Sequence, residues 1–216
     1  TGLLDPFGVA IGDFDNDGLN DLAFSEVTAG KVAVYRSDGT MVGSPWTGLG
    51  SPYGVAIGDY DNDGLNDLAI SENANNRLTV YKSDGTMISQ LTGISALMGV
   101  AIGDYDNDAM NDLAYAKFGS VVVCRSDGTI IKELTGLYYP SSVAIGDYNK
   151  DGLNDLAVAE FLAGKVTVYT QTKTGTVARV AEPTIVTLRG TLTDASGYPI
   201  QVGSINVTVY DSFSKA

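Results

Sequence analysis

The chain has 216 residues, 44% of them hydrophobic, with 26 acidic against 13 basic side chains and a formal net charge of −13. It has no basic patch for nucleic acid, and no His with only one Cys, which excludes Ser-His and Cys-His nucleophile pairs, a disulfide framework and a nitrogen–sulfur set for zinc. No apolar run is long enough to span a membrane as a helix, and the chain starts at Thr1 without Met, as a processed or partial chain would.

The first run, Val9-Ala-Ile-Gly12, is short, apolar and small, and so is Leu22-Ala-Phe-Ser25. Both are too short for helices and read as β-strands. Between them lies Asp13-Phe-Asp15-Asn-Asp17-Gly-Leu-Asn-Asp21, with side-chain oxygens at positions 1, 3, 5 and 9. Position 6 is Gly, where the chain must bend back on itself. A short loop wraps a hard cation in oxygen this way, with the position-7 carbonyl as a further ligand. Lys31-Val-Ala-Val-Tyr35 is a third strand. Ser37-Asp-Gly-Thr40 follows, and Asp-Gly between strands predicts a tight hairpin turn.

The unit then repeats. Nine-residue loops begin at Asp59, Asp104 and Asp147, at spacings of 46, 45 and 43 residues. The third strand returns as Arg77–Tyr81, Ser120–Cys124 and Lys165–Tyr169, and Met87–Leu91 supplies a fourth strand. Four strands in about 45 residues is the size of a propeller blade, and the small residues of Val-Ala-Ile-Gly suit the crowded inner edge. An EF-hand would need a bidentate Glu at position 12 and flanking helices; position 12 is Phe24, Ile70, Tyr115 and Val158. The loops hold 15 of the 26 acidic residues. Four bound Ca²⁺ would bring the net charge to about −5, so the acidity reads as a calcium device. Magnesium prefers fewer protein ligands and a stricter octahedron.

At this point the stretch Phe7-Gly-Val-Ala-Ile-Gly-Asp-Phe-Asp-Asn-Asp-Gly-Leu-Asn-Asp-Leu-Ala23 resembles an FG-GAP (VCBS-type) repeat, as in the propeller of integrin α-subunits and many secreted microbial proteins. The resemblance covers residues 1–180 and implies an all-β propeller of four visible blades, each with one calcium between strands. It implies the ligands Asp13, Asp15, Asp17 and Asp21; Asp59, Asp61, Asp63 and Asp67; Asp104, Asp106, Asp108 and Asp112; and Asp147, Asn149, Asp151 and Asp155. The carbonyls of Leu19, Leu65, Met110 and Leu153 fill position 7. Two loops depart from the pattern. Ala109 replaces the Gly of the third, which predicts backbone strain, and Asn149 with Lys150 leaves the fourth with three carboxylates and weaker binding. Family propellers usually have about seven blades, so whether four close into a ring stays open.

Cys124 replaces the Tyr of the other repeats and reads as inert packing. After Tyr169 the repeat fades. Thr176–Val180 is expected to close the fourth blade, and Glu182-Pro183 marks a boundary to a second unit, residues 181–216. Thr184–Thr193 and Ser204–Tyr210 alternate like half-buried strands around an Asp194–Pro199 turn, resembling the opening strands of an immunoglobulin-like or carboxypeptidase-regulatory-like sandwich. Two strands cannot bury their own apolar face. The expected cover is a neighbouring copy, with the chain's own propeller as the alternative. Asn206-Val-Thr208 is the single glycosylation sequon.

The expected function is a non-enzymatic, extracellular or cell-surface calcium-binding structural subunit of a filament, sheath or surface layer, whose partners are other copies of itself. Loops of modest affinity fill where calcium is millimolar, outside the cell. The alternative is an integrin-like or lectin-like module for a protein or glycan ligand. Its contacts would come from the variable stretches Gly50–Tyr53, Ser95–Met98 and Tyr138–Ser141, which are expected instead to pack between blades.

Overall fold

The computed structural model describes residues 2–172 and the backbone of 185–187 and 206–211. Every regular element among them is a strand. The strands form four antiparallel meanders, one per repeat. Blade one holds β1 (Pro6–Gly12), β2 (Asp21–Glu26) and β3 (Lys31–Tyr35). Its outer edge is closed only by isolated bridges, Val32 to Trp46 and Tyr35 to Met41, so this blade has no regular fourth strand. Blade two is β4 (Pro52–Gly58), β5 (Asp67–Glu72), β6 (Arg77–Lys82) and β7 (Met87–Thr92). Blade three is β8 (Val100–Gly103), β9 (Asp112–Lys117), β10 (Ser120–Cys124) and β11 (Ile130–Thr135). Blade four is β12 (Pro140–Gly146), β13 (Asp155–Glu160) and β14 (Lys165–Thr170), extended by β16 (Asn206–Asp211) and β15 (Ile185–Thr187).

The outer place of blade four is therefore taken by a strand from the C-terminal unit. β16 runs parallel to β14, with Val166 opposite Val207 and Thr170 opposite Asp211, and β15 pairs antiparallel to β16. A parallel partner cannot follow through a tight turn and needs a long connection. Residues 176–180, the Asp194–Pro199 turn and the side chains around Asn206 lie outside the described residues.

The Asp-Gly turns are three-residue hairpins with a bulge. Gly39, Gly85 and Gly128 have φ of 84°, 86° and 86°, and the Asp carboxylate before each accepts from the Thr after it.

Strand alternation puts the core between blades rather than within them. In β5, Leu68 and Ile70 face blade one while Ala69 faces blade three. In β9, Leu113 and Tyr115 face blade two while Ala114 and Ala116 face blade four. Each blade thus offers large residues to the blade before it and small ones to the blade after it. At the inner edge a Cβ on Gly58 would stand 2.8 Å from Ile102, and one on Gly12 would stand 2.6 Å from Ile57. Glycine lets the next blade's Ile seat against the backbone. The variable stretches follow the same packing: Pro52, Leu97, Met98 and Pro140 are buried, whereas Tyr138 is exposed.

Candidate metal centres in the inter-strand loops

Each nine-residue loop joins the first strand of a blade to the second, and its own aspartates fold it. In the second loop, Asp59 accepts from Asp63 N at 3.0 Å and from Gly64 N at 2.9 Å. Asp63 accepts from Leu65 N at 2.9 Å, and Asp67 accepts through Oδ2 from Tyr60 N at 2.9 Å. The other loops repeat this pattern around Asp13, Asp104 and Asp147. Position 4 is left-handed in every copy, at Asn16, Asn62, Asn107 and Lys150. Asn tolerates that conformation better than Lys. Position 6 has φ of 90°, 88° and 86° at Gly18, Gly64 and Gly152, and Ala109 is forced to 70°. The strain expected at Ala109 is thus present, at a cost of roughly 1–2 kcal/mol for a residue with a Cβ.

Three loops bring carboxylate oxygens together. One oxygen from each of Asp13, Asp15 and Asp17 lies within 4.8 Å of the others, and so do Asp59, Asp61 and Asp67, and Asp104, Asp106 and Asp108. The position-9 aspartates sit deepest: Asp21, Asp67 and Asp112 are 2%, 0% and 1% exposed. In all three Oδ2 is hydrogen-bonded, but Oδ1 is buried without a partner. Burial pushes Asp67 and Asp112 up to about 6, against the pull of the backbone N–H donors. An orphaned buried carboxylate oxygen is costly unless a cation or proton joins it. The donor set therefore fits a hard cation, and the three clusters could hold a metal ion.

The fourth loop differs. Asp155 Oδ1 accepts from Gln171 N at 2.9 Å, so it is not orphaned, and the neutral Asn149 holds Asp151 N at 2.9 Å. Three acidic oxygens do not gather there as they do in the other loops.

Several contributors were missed in the sequence. Asn66 donates through Nδ2 to Asp13 O at 2.7 Å, and its own N–H donates to Asn16 Oδ1 at 3.0 Å. The same latch joins Asn111 to the second loop and Asn154 to the third, so each loop is tied to the next blade. Arg36, Lys82 and Arg125, at the ends of the third strands, reach back to the loop carboxylates at positions 3 and 5. Glu26, Glu72 and Glu160 are buried and accept N–H bonds from Leu4, Gly50 and Tyr138, with Lys31, Arg77 and Lys165 as ionic partners. All of these recur at fixed places in the repeat, which is the signal that could have found them. Cys124 is buried, its thiol pushed up to about 11 by burial, in keeping with packing alone.

The FG-GAP-like repeat family matches residues 13–70, 59–115 and 104–158, and the chain belongs to that family. No curated protein matches it. Among solved structures, a catalytically inactive virginiamycin B lyase from Staphylococcus aureus with quinupristin is 20% identical, with a TM-score of 0.56, 84% of this chain and 59% of that one being covered. A streptogramin B lyase is 16% identical, with a TM-score of 0.56 and coverages of 80% and 53%. A protein of unknown function from Bacteroides caccae is 15% identical, with a TM-score of 0.53 and coverages of 94% and 85%. These likenesses show a propeller-like fold. The chain spans about half the length of the first structures it matches, at 43%, 52% and 53% of theirs.

Proposed function

We infer, for this member of the FG-GAP-like repeat family, a non-enzymatic structural protein that binds calcium outside the cell and assembles with copies of itself into a filament, sheath or surface layer. The observation that carries the calcium reading is the orphaned Oδ1 of Asp21, Asp67 and Asp112, each buried in a loop of gathered carboxylates. Only oxygen donors are present there, which selects a hard cation. Asp13, Asp15, Asp17 and Asp21 would hold the ion in the first loop, with the Leu19 carbonyl, and the second and third loops would use their counterparts. The ion would neutralise the loop and fix the strand junction. The fourth loop would bind least, since Asn149 is neutral and Asp155 is already hydrogen-bonded.

Assembly is supported by the faces left open, among the described residues, at the two ends of the blade series. Val9 is 65% exposed, whereas its counterpart Val55 is 6% exposed, and Ile11 is 71% exposed where its counterpart Ile57 is half-buried. At the other end Ala144, Ile145, Gly146, Tyr148, Ala157 and Val168 line a recess. An exposed apolar face and a recess on one molecule suit head-to-tail stacking, which forms a ring if it closes and a fibre if it does not. The β14–β16 pairing could also be made between copies, as a swap of an identical element. The second reading, a ligand-binding module, is favoured by Tyr138 and Phe161, exposed together on blade four.

Calorimetry with and without chelator tests the calcium reading: the melting temperature is expected to fall steeply on chelation, and an unchanged value overturns it. Sedimentation with calcium present tests assembly. Large species are expected, and a monodisperse monomer at high concentration leaves the ligand-binding module as the better reading.

A further inference from the structure

We propose that Arg36, Lys82 and Arg125 are resident counter-ions of the first three loops, which hold the calcium-free loops together and weaken calcium binding there. The inference rests on the calcium reading and adds residues that no ligand pattern contains.

The three cations occupy one place in the repeat, the residue at or just after the end of the third strand. All three reach the same two loop positions. Lys82 Nζ lies 2.8 Å from Asp61 and also pairs with Asp63. Arg36 pairs with Asp15 and lies 3.8 Å from Asp17, and Arg125 pairs with Asp106 and lies 3.5 Å from Asp108. Lys82 and Arg125 take Oδ2 of the position-3 aspartate, and Oδ1 of Asp61 and Asp106 stays buried without a partner. One oxygen is thus held by the cation and the other is left for the loop.

The fourth blade is an internal control. Its position 3 is the neutral Asn149, and the equivalent strand residue is the neutral Thr170. Charge has been removed from both partners together, in the one loop where no orphaned Oδ1 remains at position 9. A basic residue kept only for solubility would have no reason to vanish with the aspartate it touches.

The physics gives opposite signs in the two states. Without calcium, four carboxylates in one loop repel, and a single positive charge offsets part of that. With calcium, the same charge sits across one carboxylate from a divalent ion and repels it. Removing it therefore destabilises the empty protein and tightens the metal.

Lys82→Met is the test, with Lys82→Arg as the charge-keeping control. Melting in excess chelator and stepwise calcium titration are read on both. Lys82→Met is expected to melt lower than wild type in chelator, with one site binding calcium roughly three- to tenfold more tightly. Lys82→Arg is expected to match wild type in both. Unchanged or weaker calcium binding in Lys82→Met overturns the proposal, as does an unchanged melting temperature in chelator. If Lys82→Met does not fold in chelator, Arg36→Gln in the first loop takes its place with the same two readouts. Wild-type protein that binds no calcium overturns the calcium reading itself, a result visible before any variant is made.

Discussion

The same side chains meet opposite fates in the junctions between blades and on the outer faces of the series. Leu68, Leu113 and Leu156 are fully buried, whereas Leu22, at the same place in blade one, is 41% exposed. Ile57, Ile102 and Ile145 seat on Gly12, Gly58 and Gly103 of the preceding blade, while among the described residues Ile11 has no glycine to seat on and Gly146 receives nothing. Blade identity is thus not what stabilises a blade. The stability lies in the junction, and a repeat gains it only when a neighbour supplies the other half.

The two ends are not equivalent. Blade one keeps the whole of its half: Val9, Ile11, Leu22 and Asn20 are the residues that elsewhere meet a preceding blade. Blade four has changed its half. Ser142 stands where Gly8, Gly54 and Gly99 admit the next backbone, and Lys150 stands where Asn16, Asn62 and Asn107 accept the latch. Ser25 and Ser71, which donate to carbonyls of the next blade, are already replaced by Ala116 in blade three and then by Ala159 in blade four.

The sharpest way to break this contrast is one substitution made at two places. Leu68→Ala is expected to cost about 2–5 kcal/mol, because it opens a cavity in the junction of blades one and two. Leu22→Ala should cost under about 1 kcal/mol in the monomer, since its side chain is already partly in water. Urea denaturation of the two variants measures the difference. Equal costs would mean that blade one's face is covered in solution, which would itself point to a stacked copy.

A smaller effect is expected at the inner edge. Gly58→Ala places a Cβ 2.8 Å from Ile102 and should cost about 1–3 kcal/mol as overpacking. Gly146→Ala meets nothing among the described residues and should be close to neutral. Thermal melting of both variants checks this. At large-scale assembly the second becomes informative: if Ile11 of another copy seats on Gly146, Gly146→Ala should reduce association while leaving the monomer's stability alone.

Smaller again is the latch. Asn66→Ala removes the bond from Nδ2 to Asp13 O and should cost about 1 kcal/mol. Asn20→Ala, in the exposed counterpart, should cost almost nothing. Hydrogen exchange at the loop amides is a suitable readout, because loosening should be confined to the first two blades in the Asn66 variant.

How much of this was legible follows from what repeats. The loops, the strands around them and the Asp-Gly turns carry local signals with a mechanism, so they could be read from four aligned copies. Three of the four loops gather three aspartate oxygens each and the fourth does not, and the strain at Ala109 follows from one missing glycine. The latches and counter-ions were harder, because their partners lie about 50 and about 20 residues away and only blade geometry brings them together. The absence of a regular fourth strand in blade one had a signal in Gly43 and Pro45, but the apolar content of Met41 to Trp46 masks it. The parallel docking of β16 on β14 could not be read either. Alternation along 206–211 shows that a strand forms and has one apolar face, but not which edge it joins or in which direction.

Lys150→Asn is the smallest perturbation and the one that separates a lone molecule from an assembly. Among the described residues no blade follows the fourth, so within them a restored latch has nothing to hold. The only gain is local: position 4 has φ of 60° at Lys150, and Asn adopts that conformation more readily than Lys, a difference of a few tenths of a kcal/mol. If copies stack so that blade one of one molecule follows blade four of another, the side-chain oxygen introduced by Lys150→Asn can accept from Asn20 N, as Asn16 does from Asn66. Association should then strengthen several-fold, by the worth of about one hydrogen bond. Sedimentation at matched calcium reads this directly. A variant with unchanged stability and tighter association fits head-to-tail stacking. Unchanged association in a protein that does assemble would place the contact elsewhere, at the strand edges of blade four.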